Sequence, residues 1–132
     1  MRLRIYGLPV AQGRPRLTTR GGFAHAYDPA KSREWKRTVH IEAAREVAKA
    51  AARFPLEGPL ALVLCFYMPR PKSLPRRVTH HTKRPDVDNL AKAVQDAIGD
   101  GCVYRDDAQI VSLLVTKEYD EKPGVGIDVQ SL

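Results

Sequence analysis

Residues 60–68, LALVLCFYM, restrict the possible folds of this chain more than any other stretch. The run is strand length, about half of what a membrane-spanning helix needs. A strand apolar at every position is expected to be central and covered on both faces. The remaining sequence must therefore supply its neighbouring strands and the helices that cover it.

A long helix is the first candidate cover. Asp28-Pro29 suits a helix start, with an N-cap acceptor followed by proline at the first helical position. From there to about residue 53, Trp35, Val39, Ala43, Val47 and Ala51 recur every four positions, joined by Ala44 and Ala48. That spacing makes one buried stripe. Trp35 sits on it and reads as core rather than as a base-stacking surface residue, while Arg33, Lys36, Arg37 and His40 mark the outer face. Phe54-Pro55 and Gly58-Pro59 break the helix.

Alternating patterns mark further strands at residues 3–8, 110–119 and 125–129, the last after a Lys122-Pro123-Gly124 turn. The expected order is strand, helix, strand, basic loop, short helix, acidic turn, strand, strand. This is an α/β (α+β) fold, a small mixed sheet of about four strands packed with one long and one short helix. The 132 residues suit a single domain spanning 1–132, with no internal repeat.

Composition narrows the function classes. No apolar signal region opens the chain, and two cysteines, Cys65 and Cys102, are too few for a disulfide scaffold or a cysteine-rich zinc site. A cytoplasmic protein with reduced thiols is expected. The net charge of +7 is unevenly spread: residues 1–85 hold 18 Lys/Arg against 5 Asp/Glu, and residues 86–132 hold 4 against 10. A basic half beside an acidic cluster suggests a polyanion-binding face with a cation site set into it. Two loops carry the basic runs. Residues 11–22 hold Arg14, Arg16 and Arg20, whose guanidinium forks suit phosphates. Residues 69–84 hold Arg70, Lys72, Arg76, Arg77, Lys83 and Arg84 with no acid, and are expected to stay mobile until a polyanion orders them. Adjacent His80 and His81 make a poor ligand pair and read as polar loop residues.

The acidic cluster lies in residues 83–110, KRPDVDNLAKAVQDAIGDGCVYRDDAQI. An extended entry after Pro85 would place Asp86 and Asp88 on one side. A helix then starts near Asp88 or Asn89. Val87, Leu90, Ala91, Val94, Ala97 and Ile98 form its buried stripe, and Asp88, Lys92 and Asp96 lie on the other face at four-residue spacing. Gly99 and Gly101 end the helix, and the turn beyond brings Asp106 and Asp107. Clustered carboxylates repel one another, and an oxygen-liganded cation relieves them. Mg²⁺ needs only one or two protein carboxylates, so an Asp-x-Asp pair and one distant Asp suffice. Lys92 would offset charge growing on a phosphate undergoing hydrolysis. Each element also has a plain structural reading: Asp88 as an N-cap, Asp88–Lys92 as an exposed pair, Asp106-Asp107 as a turn.

The pattern R-P-D-V-D-N-L-A-K at 84–92, D-A-I at 96–98 and D-D-A-Q-I at 106–110 resembles the RusA family of Holliday junction resolvases of phages and prophages. G-R-P-R at 13–16 and the segment with Tyr27, Asp28, Ser32, Trp35 and Lys36 are similar too. The resemblance implies a RusA-like domain that hydrolyses phosphodiesters in four-way DNA junctions. It implies that Asp86, Asp88 and Asp107 are the metal-binding, catalytic aspartates and Lys92 the essential lysine. It further implies Mg²⁺ or Mn²⁺ as cofactor and a homodimer with two active sites. Arg14, Arg16, Arg76, Arg77, Lys83 and Arg84 are the candidate DNA contacts. A non-catalytic protein that binds branched nucleic acid is the alternative, and a Mg²⁺ hydrolase of small phosphate esters a more distant one.

Overall fold

The computed structural model describes residues 1–13 and 30–132. Among these, the elements follow the expected order: β1 (Arg2–Tyr6), α1 (Ala30–Lys49), β2 (Leu60–Pro69), α2 (Val87–Ile98), a 3₁₀ turn (Asp107–Gln109), β3 (Ile110–Asp120) and β4 (Gly124–Ser131). The strands form one mixed sheet in the order β1-β4-β2-β3. β2 pairs antiparallel with β4 and parallel with β3. The parallel pairing requires a crossover, which the basic loop and α2 supply. The turn after β3 does not close a hairpin, because β2 lies between β3 and β4. No helix among the described residues is long and apolar enough to cross a membrane. Cys65 and Cys102 are free thiols.

β2 is central, but only one of its faces is fully covered. Leu60, Leu62, Leu64, Phe66 and Met68 are buried, while Ala61, Val63, Cys65 and Tyr67 between them are half-buried. The buried set joins Ile5, Val125, Ile127 and Val129 from the sheet and the inner residues of both helices in one core. Coverage on both faces is thus corrected to a two-layer arrangement. The outer face is shielded in part by β1, whose Arg4 guanidinium lies 3.6 Å from the Tyr67 ring centroid.

α1 buries Ser32, Trp35, Val39 and Ala43, the expected stripe with Ser32 added one turn earlier. It ends at Lys49 rather than near residue 53, and Ala48 and Ala51 are exposed. Beyond Val47 the stripe is exposed, so propensity alone does not extend the helix. The Asp28-Pro29 start, Arg14, Arg16, Arg20 and Tyr27 lie outside the described residues.

β3 is an edge strand, less covered than its composition suggests. A bulge between the Leu60–Ile110 and Ala61–Ser112 pairs leaves Val111 unmatched. Past the bulge, Leu113, Val115, Lys117 and Tyr119 pair with Leu62, Leu64, Phe66 and Met68 and share their face. Ile110, opposite Leu60, therefore belongs with this set rather than with Ser112 and Leu114.

The basic loop is folded rather than loose. Arg70 donates from Nη1 to the Val78 carbonyl at 2.7 Å and from Nη2 to that of Pro75. The segment 79–81 runs along β3, with Tyr119 N donating to Thr79 O at 2.8 Å and His80 bridged to Glu118. The His81 ring packs edge-on against Tyr119 at 4.8 Å. Backbone groups of this stretch find partners in β3 and in Arg70, so no polyanion is needed to order it.

Candidate active site

α2 presents the first half of the site. Leu90, Ala91, Ala93, Val94, Ala97 and Ile98 are buried, so Ala93 joins the expected stripe, while Val87 at its start is 39% exposed. The helix begins at Val87, two residues after Pro85. Only Asp86 is extended (φ −74°, ψ 149°), and Asp88 already lies in the first turn, so the expected extended alternation across both aspartates does not hold. Asp86 occupies the N-cap position, and its carbonyl accepts from Leu90 N at 3.1 Å, yet its carboxylate makes no capping hydrogen bond. Asp88 Oδ1 accepts from Asn89 N at 2.9 Å. Both aspartates are exposed.

The entry to α2 is fixed from β3. Lys117 shares the face of Phe66 and donates from Nζ to Lys83 O at 2.6 Å and Pro85 O at 2.8 Å. One ammonium thus ties down the carbonyls on either side of Arg84, directly before Asp86. Charge-assisted bonds of this kind are roughly twice as strong as neutral ones.

The second half is the turn before β3. Asp106 is its N-cap: Oδ1 accepts from Ala108 N at 2.8 Å, and Gln109 closes a capping box. Asp106 therefore has a local structural task, and Asp107 is the carboxylate the turn presents. Gln109 Oε1 accepts from Arg105 N (2.9 Å) and Asp106 N (3.1 Å), while its Nε2 donates to Leu56 O (3.0 Å) and Gly58 O (3.1 Å). The turn is thereby bolted to the α1–β2 connection.

Both oxygens of Asp107 have donors. Tyr104 Oη donates to Oδ1 at 3.1 Å, and Lys92 Nζ donates to Oδ2 at 3.3 Å. The same ammonium lies 2.9 Å from Asp96 Oδ1, and so sits between two carboxylates. Its hydrogen bond to Asp96 is the main cause of a raised Lys92 pKa, with Asp107 adding to it and partial burial opposing. Burial pushes the Tyr104 phenol far above its ordinary range, and the Asp107 charge pushes it further. Tyr104 is thus a neutral hydroxyl donor throughout the working pH range.

Asp107, Lys92 and Asp96 are therefore brought together, whereas Asp86 and Asp88 stand at the start of the same helix. Asp88 and Asp96 are eight residues apart, about 12 Å along the axis. Among the described residues, no group of three or more His, Cys, Asp or Glu side chains is gathered so as to hold a metal ion between them. A groove of about 780 Å³ runs between α2 and the β3 edge, lined by Asp88, Lys92 and Gln95 on one side and Leu113 on the other. Arg76, Arg77, Lys83 and Arg84 are all exposed. Arg70, by contrast, is committed inside its loop. Sequence reading gave no role to Tyr104, Gln109 or Lys117. Gln109 stood in the quoted D-D-A-Q-I pattern, but nothing in its spacing announces four hydrogen bonds to groups this far apart in the chain.

The site thus sets Lys92 between two aspartates on a mixed two-layer domain, beside an exposed cationic loop. Residues 7–130 match the family model described as Endodeoxyribonuclease RusA, and the chain belongs to that family. It is 36% identical over 138 residues to the uncharacterized protein YqaN of Bacillus subtilis (strain 168), covering 97% of this chain and 94% of that protein. It is 46% identical over 48 residues to the crossover junction endodeoxyribonuclease rusA of Lactococcus phage r1t, covering 36% of this chain and 37% of the phage protein.

Proposed function

We propose that this protein is a divalent-metal-dependent endodeoxyribonuclease that resolves four-way DNA junctions by paired phosphodiester hydrolysis. The observation that carries the reading is the state of Asp86. It occupies a helix N-cap position, exposed, with its carboxylate not engaged in capping. An N-cap aspartate ordinarily satisfies a first-turn N–H. Here the carboxylate remains available to a cation, with Asp88 two residues on in the first turn of the helix.

The donors fit a hard cation in kind, all being carboxylate oxygens, and among the described residues Asp107 Oδ2 is engaged only by a 3.3 Å lysine contact. Asp86, Asp88 and Asp107 would hold Mg²⁺, with Mn²⁺ as a substitute. When bound, such an ion neutralises phosphate charge and makes a coordinated water more acidic. Lys92 remains protonated at neutral pH and carries three donors, and Asp96 holds it on the site's side of α2. It is suited to meet charge developing on the phosphate or the leaving oxygen. Arg76, Arg77, Lys83 and Arg84 would contact DNA phosphates, giving strongly salt-dependent binding, as would Arg14 and Arg16. A homodimer supplies one site for each of two opposed strands. Val111, Leu113 and Leu114 on the β3 edge, 64%, 45% and 57% exposed, favour association of copies. The name carried by the Lactococcus phage relative supports the same substrate.

The test compares four-way, three-way and linear duplex DNA at matched salt, for wild type and Asp88→Asn. Wild type should nick the four-way junction only with Mg²⁺ or Mn²⁺, and the variant should bind it without cutting. Equal cutting by both would end the catalytic assignment. The separation of Asp107 from the helix start favours a second reading, a non-cleaving binder of branched nucleic acid. On that reading, replacing Asp86 and Asp107 by asparagine tightens binding and removes no activity.

A further inference from the structure

We infer that Tyr104 is the positioning residue for Asp107: its hydroxyl, seated in a notch left open by Gly99, fixes Oδ1 and leaves Oδ2 as the oxygen that faces the reaction. The inference rests on the metal-dependent reading above and adds a residue to it. Three observations carry it. Tyr104 is completely buried, among the largest fully buried side chains, so its ring cannot swing away from the carboxylate. Its Oη donates to Asp107 Oδ1 at 3.1 Å, three residues away across the turn. Gly99, at the end of α2, leaves the space that this contact occupies. A Cβ there would lie 2.6 Å from Tyr104 Cε2 and 2.7 Å from Asp107 Oδ1. Both distances are closer than side-chain carbons ordinarily approach, and the third neighbour, Gln95 O at 2.8 Å, is helix backbone.

Gly99 has φ −97°, an ordinary value for any residue. Its backbone conformation thus does not explain the glycine, and the close approach of Tyr104 and Asp107 does. The two oxygens of Asp107 are also held unequally. Oδ1 is bound by a rigid, buried ring, whereas Oδ2 is bound by a flexible lysine that also contacts Asp96. An arriving cation can displace the second donor more easily than the first. A donor that orients a ligating carboxylate acts as second-layer residues do at metal sites generally, where its removal weakens metal affinity about 10- to 100-fold.

The experiment titrates Mn²⁺ into the full-length protein without DNA, by calorimetry, for wild type, Tyr104→Phe and Asp107→Asn. Tyr104→Phe keeps the buried ring and removes only the hydroxyl. Affinity should fall about 10-fold in Tyr104→Phe and at least as far in Asp107→Asn. Junction cleavage by Tyr104→Phe should recover toward the wild-type maximum at high Mn²⁺, a midpoint shift that a general loss of folding would not produce. Wild-type affinity in Tyr104→Phe would overturn the role of Tyr104 while leaving the metal reading intact. No Mn²⁺ binding by wild type would overturn the metal reading and this inference together. Should Tyr104→Phe not fold, Gly99→Ala crowds the same notch, and undiminished Mn²⁺ affinity in that variant refutes the inference.

Discussion

Replacing Gln109 by alanine tests whether the turn that carries Asp107 is held by side-chain bonds rather than by core packing. Gln109 makes four hydrogen bonds, accepting from Arg105 N and Asp106 N and donating to Leu56 O and Gly58 O. None of the three residues of the turn is buried, so the hydrophobic effect does little to fix it. A typical intramolecular hydrogen bond contributes about 0.5–1.5 kcal/mol net, which would suggest about 4 kcal/mol for four. Three of them are solvent-exposed, however, and their backbone groups regain water in the variant. Only the bond to Leu56 O is partly buried. The expected loss is therefore about 2 kcal/mol, or a Tm lower by about 5–10 °C for a domain of this size. Thermal melts followed by far-UV circular dichroism measure the change. Amide hydrogen exchange should locate the loosening at residues 105–109 and 56–58. A melting temperature within a degree or two of wild type, with unchanged exchange there, would refute the reasoning.

Two further outcomes follow from the same contacts. Lys117→Met removes the ammonium that binds Lys83 O and Pro85 O, and should cost about 2 kcal/mol, because the first bond is exposed and the second only partly buried. Its effect should concentrate in the approach to Asp86: faster exchange at residues 83–87 and weaker junction cleavage, with β2 and β4 unchanged; uniform exchange changes would count against it. Burial, aided by the Lys117 and Lys83 charges, lowers the His81 pKa from its ordinary 6.5. The folded state then binds fewer protons than the unfolded one below that value, so the contribution is flat above about pH 6.5 and stability falls as pH drops through it. Melts between pH 8 and 5 should show a shallower acid-side decline in His81→Gln, and parallel curves would dismiss the effect.

What could be read in the sequence followed periodicity. The four-residue recurrence of Trp35, Val39 and Ala43, and the stripe of Leu90, Ala91, Val94, Ala97 and Ile98, report burial directly, because a helix repeats its faces on that spacing. The apolar run of β2 identified a central strand but misjudged its outer face. Ala61, Val63, Cys65 and Tyr67 are apolar enough to suit burial, yet are only half covered, and composition does not say which side lacks a helix. The basic loop departs from its expected mobility for a related reason. Arg70 counts as a charge in any sequence tally, while in the fold it serves as a clip between the Pro75 and Val78 carbonyls. The one-residue bulge at Val111 likewise changes which residues of β3 share a face, and no local pattern marks where a bulge falls. At the site, residue types were legible and partners were not. Lys92 at four-residue spacing between Asp88 and Asp96 can pair in either direction, and the structure turns it toward Asp96.

That direction has a physical cause in the placement of Asp107. With only Asp88 and Asp96 as neighbours, Lys92 would have two similar i, i±4 partners, each worth a few tenths of a kcal/mol. Asp107 adds a second carboxylate at the Asp96 end, and there the ammonium gains two acceptors at 2.9 and 3.3 Å. The position of Asp107 is set in turn by Gln109, Tyr104 and the space at Gly99, all on the α2–β3 connection. The approach to Asp86 is set by Lys117 on β3. The Asp86 end of the site is therefore referenced to β3 and the Asp107 end to the α1–β2 connection, and the two enter the sequence about twenty residues apart. Lys92 is what connects them, because its stem lies one turn from Asp88 and its ammonium contacts Asp107. Any change that moves Asp107 should thus be felt at the helix start through the direction in which Lys92 points.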